Sequence, residues 1–113
     1  MPHDPWPSDW LRGALGVCVL RILADGPTYG YAIAARLADA GLGSVKGGTL
    51  YPILARLETE GLVTSSWEAG DGGPGRKFFT LTDVGRDALR ERSDQWHAFT
   101  QRAAGLLSTH VPS

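Results

Sequence analysis

The sequence predicts a mainly α fold with a small β-hairpin: a winged helix-turn-helix followed by a long C-terminal helix. Three observations predict it. Apolar residues recur at helical spacing in three short segments before Gly61, each closed by a glycine stop. Two short runs rich in β-branched and aromatic residues, Val63–Glu68 and Arg76–Leu81, flank the glycine-rich "AGDGGPG". A last helical segment then runs from Thr82 to about Leu107, on the order of 39 Å at 1.5 Å per residue. Three short helices followed by an antiparallel hairpin form the winged helix-turn-helix order, with the hairpin as the wing.

Each element has its own signal. Three prolines in the first ten residues exclude a helix interior, so residues 1–8 read as a loose arm. Trp6 and Trp10 are large rings for such an arm and should pack on the first helix or on a partner. The first helix starts at Ser8 or Asp9 as cap candidates and runs to Ala24, with Leu11, Leu15, Val19, Ile22 and Leu23 inward. "DGPT" stops it: Gly26 suits the residue past a helix, Pro27 cannot continue one, and Thr28 can cap the next. The second helix, about Tyr29 to Ala40, turns Ile33, Ala34 and Leu37 inward and ends at Gly41. The third, about Lys46 to Glu60, buries Leu50, Ile53, Leu54 and Leu57, tolerates Pro52 in its early turns, and ends at Gly61. Thr82 caps the last helix. The domains are therefore an arm (1–8), a winged helix-turn-helix (9–81), a C-terminal helix (82–107) and a tail (108–113).

Composition narrows the function classes. With 113 residues, 42% hydrophobic and 20% charged, the chain fits one globular domain, neither disordered nor membrane-spanning. No apolar run is long enough to cross a bilayer, and the N-terminus lacks the pattern of a secretory signal, so a cytoplasmic location is expected. The single cysteine, Cys18, lies in an apolar helix and reads as a small buried hydrophobe. His3, His97 and His110 have no carboxylates at an orienting distance, which argues against an enzyme. One Cys and scattered His make no metal site, and no cofactor is implied. "GLGSVKGGT" fails as a phosphate loop because Lys46 precedes the glycines.

The third helix opens on "GGTLYP", a costly start, because each glycine inside a helix costs about 1 kcal/mol. In a helix-turn-helix this end lies nearest the base edges, with free N–H groups and a positive dipole facing phosphate. Bare Gly47 and Gly48 let the backbone come close. Thr49 offers a hydroxyl and a methyl, and Tyr51 puts a ring and a hydroxyl on the helix's polar side. From Ser44 to Leu57 no acidic residue occurs, while Lys46 and Arg56 are basic, and Arg76 and Lys77 follow the hairpin tip. The net charge of −1 is unhelpful to this reading; distribution matters more than the total. The competing reading is a winged-helix module that binds protein without DNA.

The last helix predicts a homodimer. Leu89, Trp96 and Ala103 stand seven residues apart, as do Arg92, Phe99 and Leu106, which makes an a/d-like seam. Its partner is the same helix, with the N-terminal helix (Leu11, Leu15), of a second subunit; folding back on its own first helix is the alternative. Trp96 reads either as dimer core or as a wall of an effector pocket lined by Trp10, Cys18, Trp96 and Phe99.

Four motifs carry a resemblance. They are G-P-x-Y-G-Y at Gly26 to Tyr31, G-T-L-Y-P at Gly48 to Pro52, R-L-E-x-x-G-L at Arg56 to Leu62, and L-T-x-x-G at Leu81 to Gly85. From about Leu11 to Leu89 the chain resembles the PadR family of bacterial transcriptional regulators, in its short form with one C-terminal helix. The resemblance implies a homodimeric repressor that binds an inverted-repeat operator in double-stranded DNA and is often released by a small molecule, aromatic in drug-binding members. It also implies that Tyr29, Gly48, Thr49, Tyr51, Arg76 and Lys77 lie at the DNA face. One departure stands out: "RKFF" lacks the tyrosine hydroxyl that many members carry on this wing strand.

Overall fold

A computed structural model describes residues 6–70 and 75–108. The expected arm and tail, and the hairpin tip, therefore fall largely outside the described residues. The elements run α1 (Ser8–Leu23), β1 (Thr28–Tyr29), α2 (Gly30–Asp39), α3 (Gly47–Thr59), β2 (Val63–Glu68), β3 (Arg76–Leu81) and α4 (Asp83–Leu107).

α1 is the hub, because it is apolar on more than one side. Leu15, Val19 and Leu20 are fully buried, and the helix touches α2, α3, β3 and α4. Neither Ser8 nor Asp9 caps it. Pro7 occupies that position, and its carbonyl accepts the N–H groups of Trp10 and Leu11 at 3.0 and 3.2 Å. Proline's fixed φ already suits a helix entrance. Asp9 still serves the first turn, beside Arg12 at 3.3 Å. The expected packing on α1 is not seen: Trp6 stays 43% exposed, its indole Nε1 donating to the Gly41 carbonyl after α2 at 2.8 Å, and Trp10 is 64% exposed.

The helix stops follow the glycines. After α2, the N–H groups of Gly41 and Leu42 bond to the carbonyls of Ala38 and Leu37, both at 3.0 Å, with Gly41 at φ 88°. After α3, Gly61 and Leu62 repeat the pattern onto Glu58 and Leu57 at 3.0 and 2.9 Å, with Gly61 at φ 78°. Both are Schellman closures, in which a left-handed residue satisfies the last carbonyls. Between α1 and α2, Asp25 takes Arg21 at 2.9 Å and Arg36 at 2.8 Å, and these two guanidiniums hold its carboxyl below the ordinary carboxylate range.

Thr28 does not cap α2. It lies in β1, a strand absent from the sequence reading, and Tyr29 takes the cap position with extended backbone. β1 pairs antiparallel with β3, giving a three-stranded sheet in the order β1-β3-β2. Phe79 and Leu81 of β3 and Val63 of β2 close the core from this side.

Thr82 does cap α4. Its Oγ1 accepts the Gly85 N–H at 2.9 Å and donates to the Gly61 carbonyl at 2.7 Å, while its own N–H reaches the Leu62 carbonyl at 3.1 Å. One residue thus ties the start of α4 to the turn between α3 and β2. Only the first part of α4 folds onto the domain, through Ala88 and Leu89 against the core; Phe99, Leu106 and Leu107 are exposed. No helix among the described residues is long and apolar enough to cross a membrane.

Candidate nucleic-acid interface

The exposed entrance of α3 consists of Lys46, Gly47, Gly48 and Thr49. No side chain caps it, so its first N–H groups point outward toward any anion that approaches. A Cβ placed on Gly48 would meet nothing within 4 Å, and its backbone is not in the left-handed region. The folded chain alone therefore gives no reason for a glycine there. Ser44 is exposed just ahead of this entrance.

Tyr51 is half exposed, at 50%, rather than wholly on the polar side. Its ring leans across the first residue of α2: a Cβ on Gly30 would stand 2.3 Å from the Tyr51 hydroxyl oxygen and 2.7 Å from Cζ. Gly47 supports the other edge, its Cβ position 3.4 Å from Cδ2. Gly30 is thus a site residue that the sequence reading missed. Its signal was a glycine opening a helix, a place that favours small residues for several unrelated reasons.

The wing meets this surface through Tyr29. Its ring lies 5.3 Å from that of Phe78, its cross-strand partner, and the Arg76 guanidinium sits over it at 4.7 Å. The Lys77 ammonium is 5.7 Å from the Phe79 ring centroid. Between the wing and the entrances of α2 and α3 runs a cleft of about 690 Å³, lined by Tyr29, Gly30, Tyr31, Tyr51, Trp67, Gly75, Arg76 and Lys77. Tyr29, Tyr51 and the adjacent pair Arg76 and Lys77, from three separate stretches of the sequence, share it.

Arg56 does not join them. It lies ten residues past Lys46, about 15 Å along a helix, and its Nη2 sits 3.9 Å from where a Gly16 Cβ would be. There it faces a second cleft of about 310 Å³ with Arg12, Gly13, Arg92, Trp96 and Phe99. A third cleft, about 420 Å³, lies between α1 and α4 and is lined by Cys18, Leu89, Trp96 and His97 among others. Trp96 separates these two clefts, its ring 5.8 Å from that of Phe99. Trp10 lines neither. Cys18 is partly buried, and that burial pushes its thiol pKa up, away from the reactive thiolate.

Two residues expected at a subunit interface are committed elsewhere. Leu15 is 0% exposed inside the core of the single chain, and Leu89 packs on that same core. Leu11 is partly buried against it as well. The seam read from heptad spacing is therefore divided: Leu89 folds back on the core, Trp96 and Phe99 border the clefts along α1, and Ala103 is half-buried and Leu106 exposed near the end of the helix. Among the described residues no cluster of His, Cys, Asp and Glu could hold a metal ion.

Comparison with known proteins agrees with this architecture. A family model described as the transcriptional regulator PadR-like family matches residues 19–91. The transcriptional regulator Rv3488 of Mycobacterium tuberculosis is 36% identical over 83 residues, covering 74% of this chain and 76% of that protein. The crystal structure of a PadR family transcriptional regulator from Eggerthella lenta is 41% identical, covers 91% of this chain and 86% of its own, and superposes with a TM-score of 0.76. A PadR-like transcriptional regulator from Bacillus cereus is 31% identical, covers 90% and 99%, and has a TM-score of 0.78.

Proposed function

The chain belongs to the PadR-like family of transcriptional regulators, which are not enzymes, and from that premise we propose that it is a cytoplasmic homodimeric repressor of transcription. Its α3 enters the major groove of double-stranded DNA, with Lys46, Gly48, Thr49 and Tyr51 leading. Arg76 and Lys77 of the wing take flanking phosphates. Two copies related by a two-fold axis hold their α3 helices about 34 Å apart, one turn of duplex, and so read an inverted repeat. The late residues of α4 join the copies.

The observation that carries this reading is Gly48. It is helical, exposed and sterically unneeded by its own chain, and it sits at the uncapped end of the helix that sends Tyr51 into the cleft shared with the wing cations. A bare backbone at such a point suits close approach to a sugar-phosphate chain. A small aromatic effector would stack on Trp96, which lines two clefts, one with Cys18 and the other with Phe99.

Selection of bound duplexes from random sequence tests the proposal. Enrichment of a two-fold symmetric sequence, bound with affinity that falls steeply as salt rises, is the expected result. The net charge of −1 favours one competing reading, a winged helix that binds protein. Failure to enrich any sequence in dilute buffer would decide for it.

A further inference from the structure

We propose that Trp67 is a DNA contact, an apolar finger of the wing that packs its indole on the deoxyribose wall of the flanking groove, beside phosphates held by Lys77 and Arg76. This rests on the DNA-binding reading above.

The strand register shows why the residue is available. Val63, Ser65 and Trp67 alternate onto the hairpin face shared with Leu81, Phe79 and Lys77. At the base of the wing that face is core: Val63 and Phe79 are buried. By Trp67 the core has ended, and the ring is 72% exposed. Gly75 is its near neighbour, and a Cβ there would come within 3.8 Å of the indole Cε3. A tryptophan that its own chain leaves in water, on an element that projects from the domain, is poised for a partner.

The surroundings choose the partner. Trp67 walls the same cleft as Tyr51, Arg76 and Lys77, and the described residues of that lining include two cations and no acid. Glu68 is the neighbouring acid and does not line the cleft; by register Lys77 stands across from Trp67 on its own face, while Arg76, across from Glu68 on the other face, reaches the cleft from the strand's far side. An occupant that carries anionic groups beside an apolar surface suits this lining. Two successive phosphates joined by a deoxyribose have that pattern. The surface is also continuous with the entrance of α3, so one strand of duplex can run from helix to wing without leaving it. Contact through a ring face tolerates any base, so Trp67 supplies affinity without choosing sequence.

The test uses the full chain and a mixed-sequence duplex, with fluorescence anisotropy read across a salt series. Trp67→Ala should weaken binding by about tenfold, in line with ring contacts to nucleotides, and leave the slope of log affinity against log salt unchanged, because no charge is lost. Trp67→Phe should recover part of the loss. Arg76→Ala with Lys77→Ala must instead flatten the slope. Undiminished binding by Trp67→Ala, while that basic pair variant weakens, overturns the Trp67 contact and leaves DNA binding standing. Absence of salt-dependent binding by the wild-type chain overturns the underlying reading. A weakened Trp67→Ala dimer in sedimentation, with binding per dimer intact, assigns the ring to a second copy and also overturns the contact.

Discussion

The Tyr51 hydroxyl occupies the place that a side chain on Gly30 would need: a Cβ built there stands 2.3 Å from the oxygen. The first residue of α2 is thus a seat for the one aromatic side chain at the α3 entrance. The two motifs that contain them, G-P-x-Y-G-Y and G-T-L-Y-P, meet through this contact. Gly30→Ala should therefore act on Tyr51. A ring at the end of a side chain can swing away, so thermal stability should change little, the more so because alanine is the better helix former. DNA affinity should fall, and Gly30→Ala should cost nothing further in a Tyr51→Ala background. Additive losses in that double-mutant cycle would separate the two residues.

Gly48 gives the opposite pairing of stability and function. Alanine at this exposed helical position meets no atom and should stabilise the fold by about 1 kcal/mol. The same methyl would stand between the α3 backbone and the duplex. Gly48→Ala is expected to melt higher and bind DNA more weakly. If it melts higher and binds equally well, the glycine is not there for DNA.

A stacked pair on the wing calls for two variants. Tyr29 holds the Arg76 guanidinium over its ring and packs on Phe78. Tyr29→Phe keeps the ring and should retain most of the affinity; Tyr29→Leu removes the cation–π contact, worth about 0.5–1 kcal/mol at an exposed site, and should lose a few-fold. Equal losses for both variants would point to the hydroxyl as the direct contact.

How much of this was legible in the sequence varied with the physics of each feature. Helix extents were readable because Leu50, Ile53, Leu54 and Leu57 repeat at helical spacing and Gly41 and Gly61 stop their helices in the left-handed conformation. β1 was not readable: two residues have no period, and Thr28 before a helix looks like a cap until β3 is in place to pair with it. Tyr29, Tyr51, Arg76 and Lys77 were identified singly; the cleft that unites them depends on tertiary contacts. A charge count along α3 groups Arg56 with Lys46 because it ignores the helix's length; the fold sets Arg56 beside Gly16, on a different cleft from Tyr51 and the wing cations. Leu89 fits a heptad seam and Leu15 the apolar face of a partner helix, but spacing alone cannot say whether the facing helix belongs to the same chain.

Gly85 contrasts with Gly30 because its obstacle is backbone. A Cβ there would lie 2.0 Å from the Leu62 carbonyl oxygen, in the turn that Thr82 ties to the start of α4. No rotamer relieves such a contact. Gly85→Ala should destabilise the fold by about 3 kcal/mol, near the upper end for overpacking, whereas Thr82→Ala should cost about 1 kcal/mol as a lost helix cap. Denaturant unfolding of the two variants checks the order. A Gly85→Ala protein as stable as wild type would mean that α4 docks differently against the α3–β2 turn.

The divided seam of α4 separates folding from association. Leu89 packs on its own core, while Phe99 and Leu106, at 62% and 76% exposed, lie outside it, Phe99 touching only the rim of the α1 cleft beside Trp96. Leu89→Ala should lower the melting temperature by removing core contacts, at about 2 kcal/mol, and leave the dimer constant alone. Leu106→Glu should do the reverse, because a carboxylate at the centre of an apolar interface must be desolvated without a partner. A loss of about 3 kcal/mol there corresponds to a rise in dimer dissociation constant of roughly a hundredfold. Cooperative DNA binding should weaken with it, because two half-sites must be held at once. Thermal melting reads the first effect and sedimentation velocity at micromolar concentration the second. Should Leu89→Ala dissociate the dimer while Leu106→Glu leaves it whole, the subunits must meet through the first turns of α4, and the exposed late turns need another explanation.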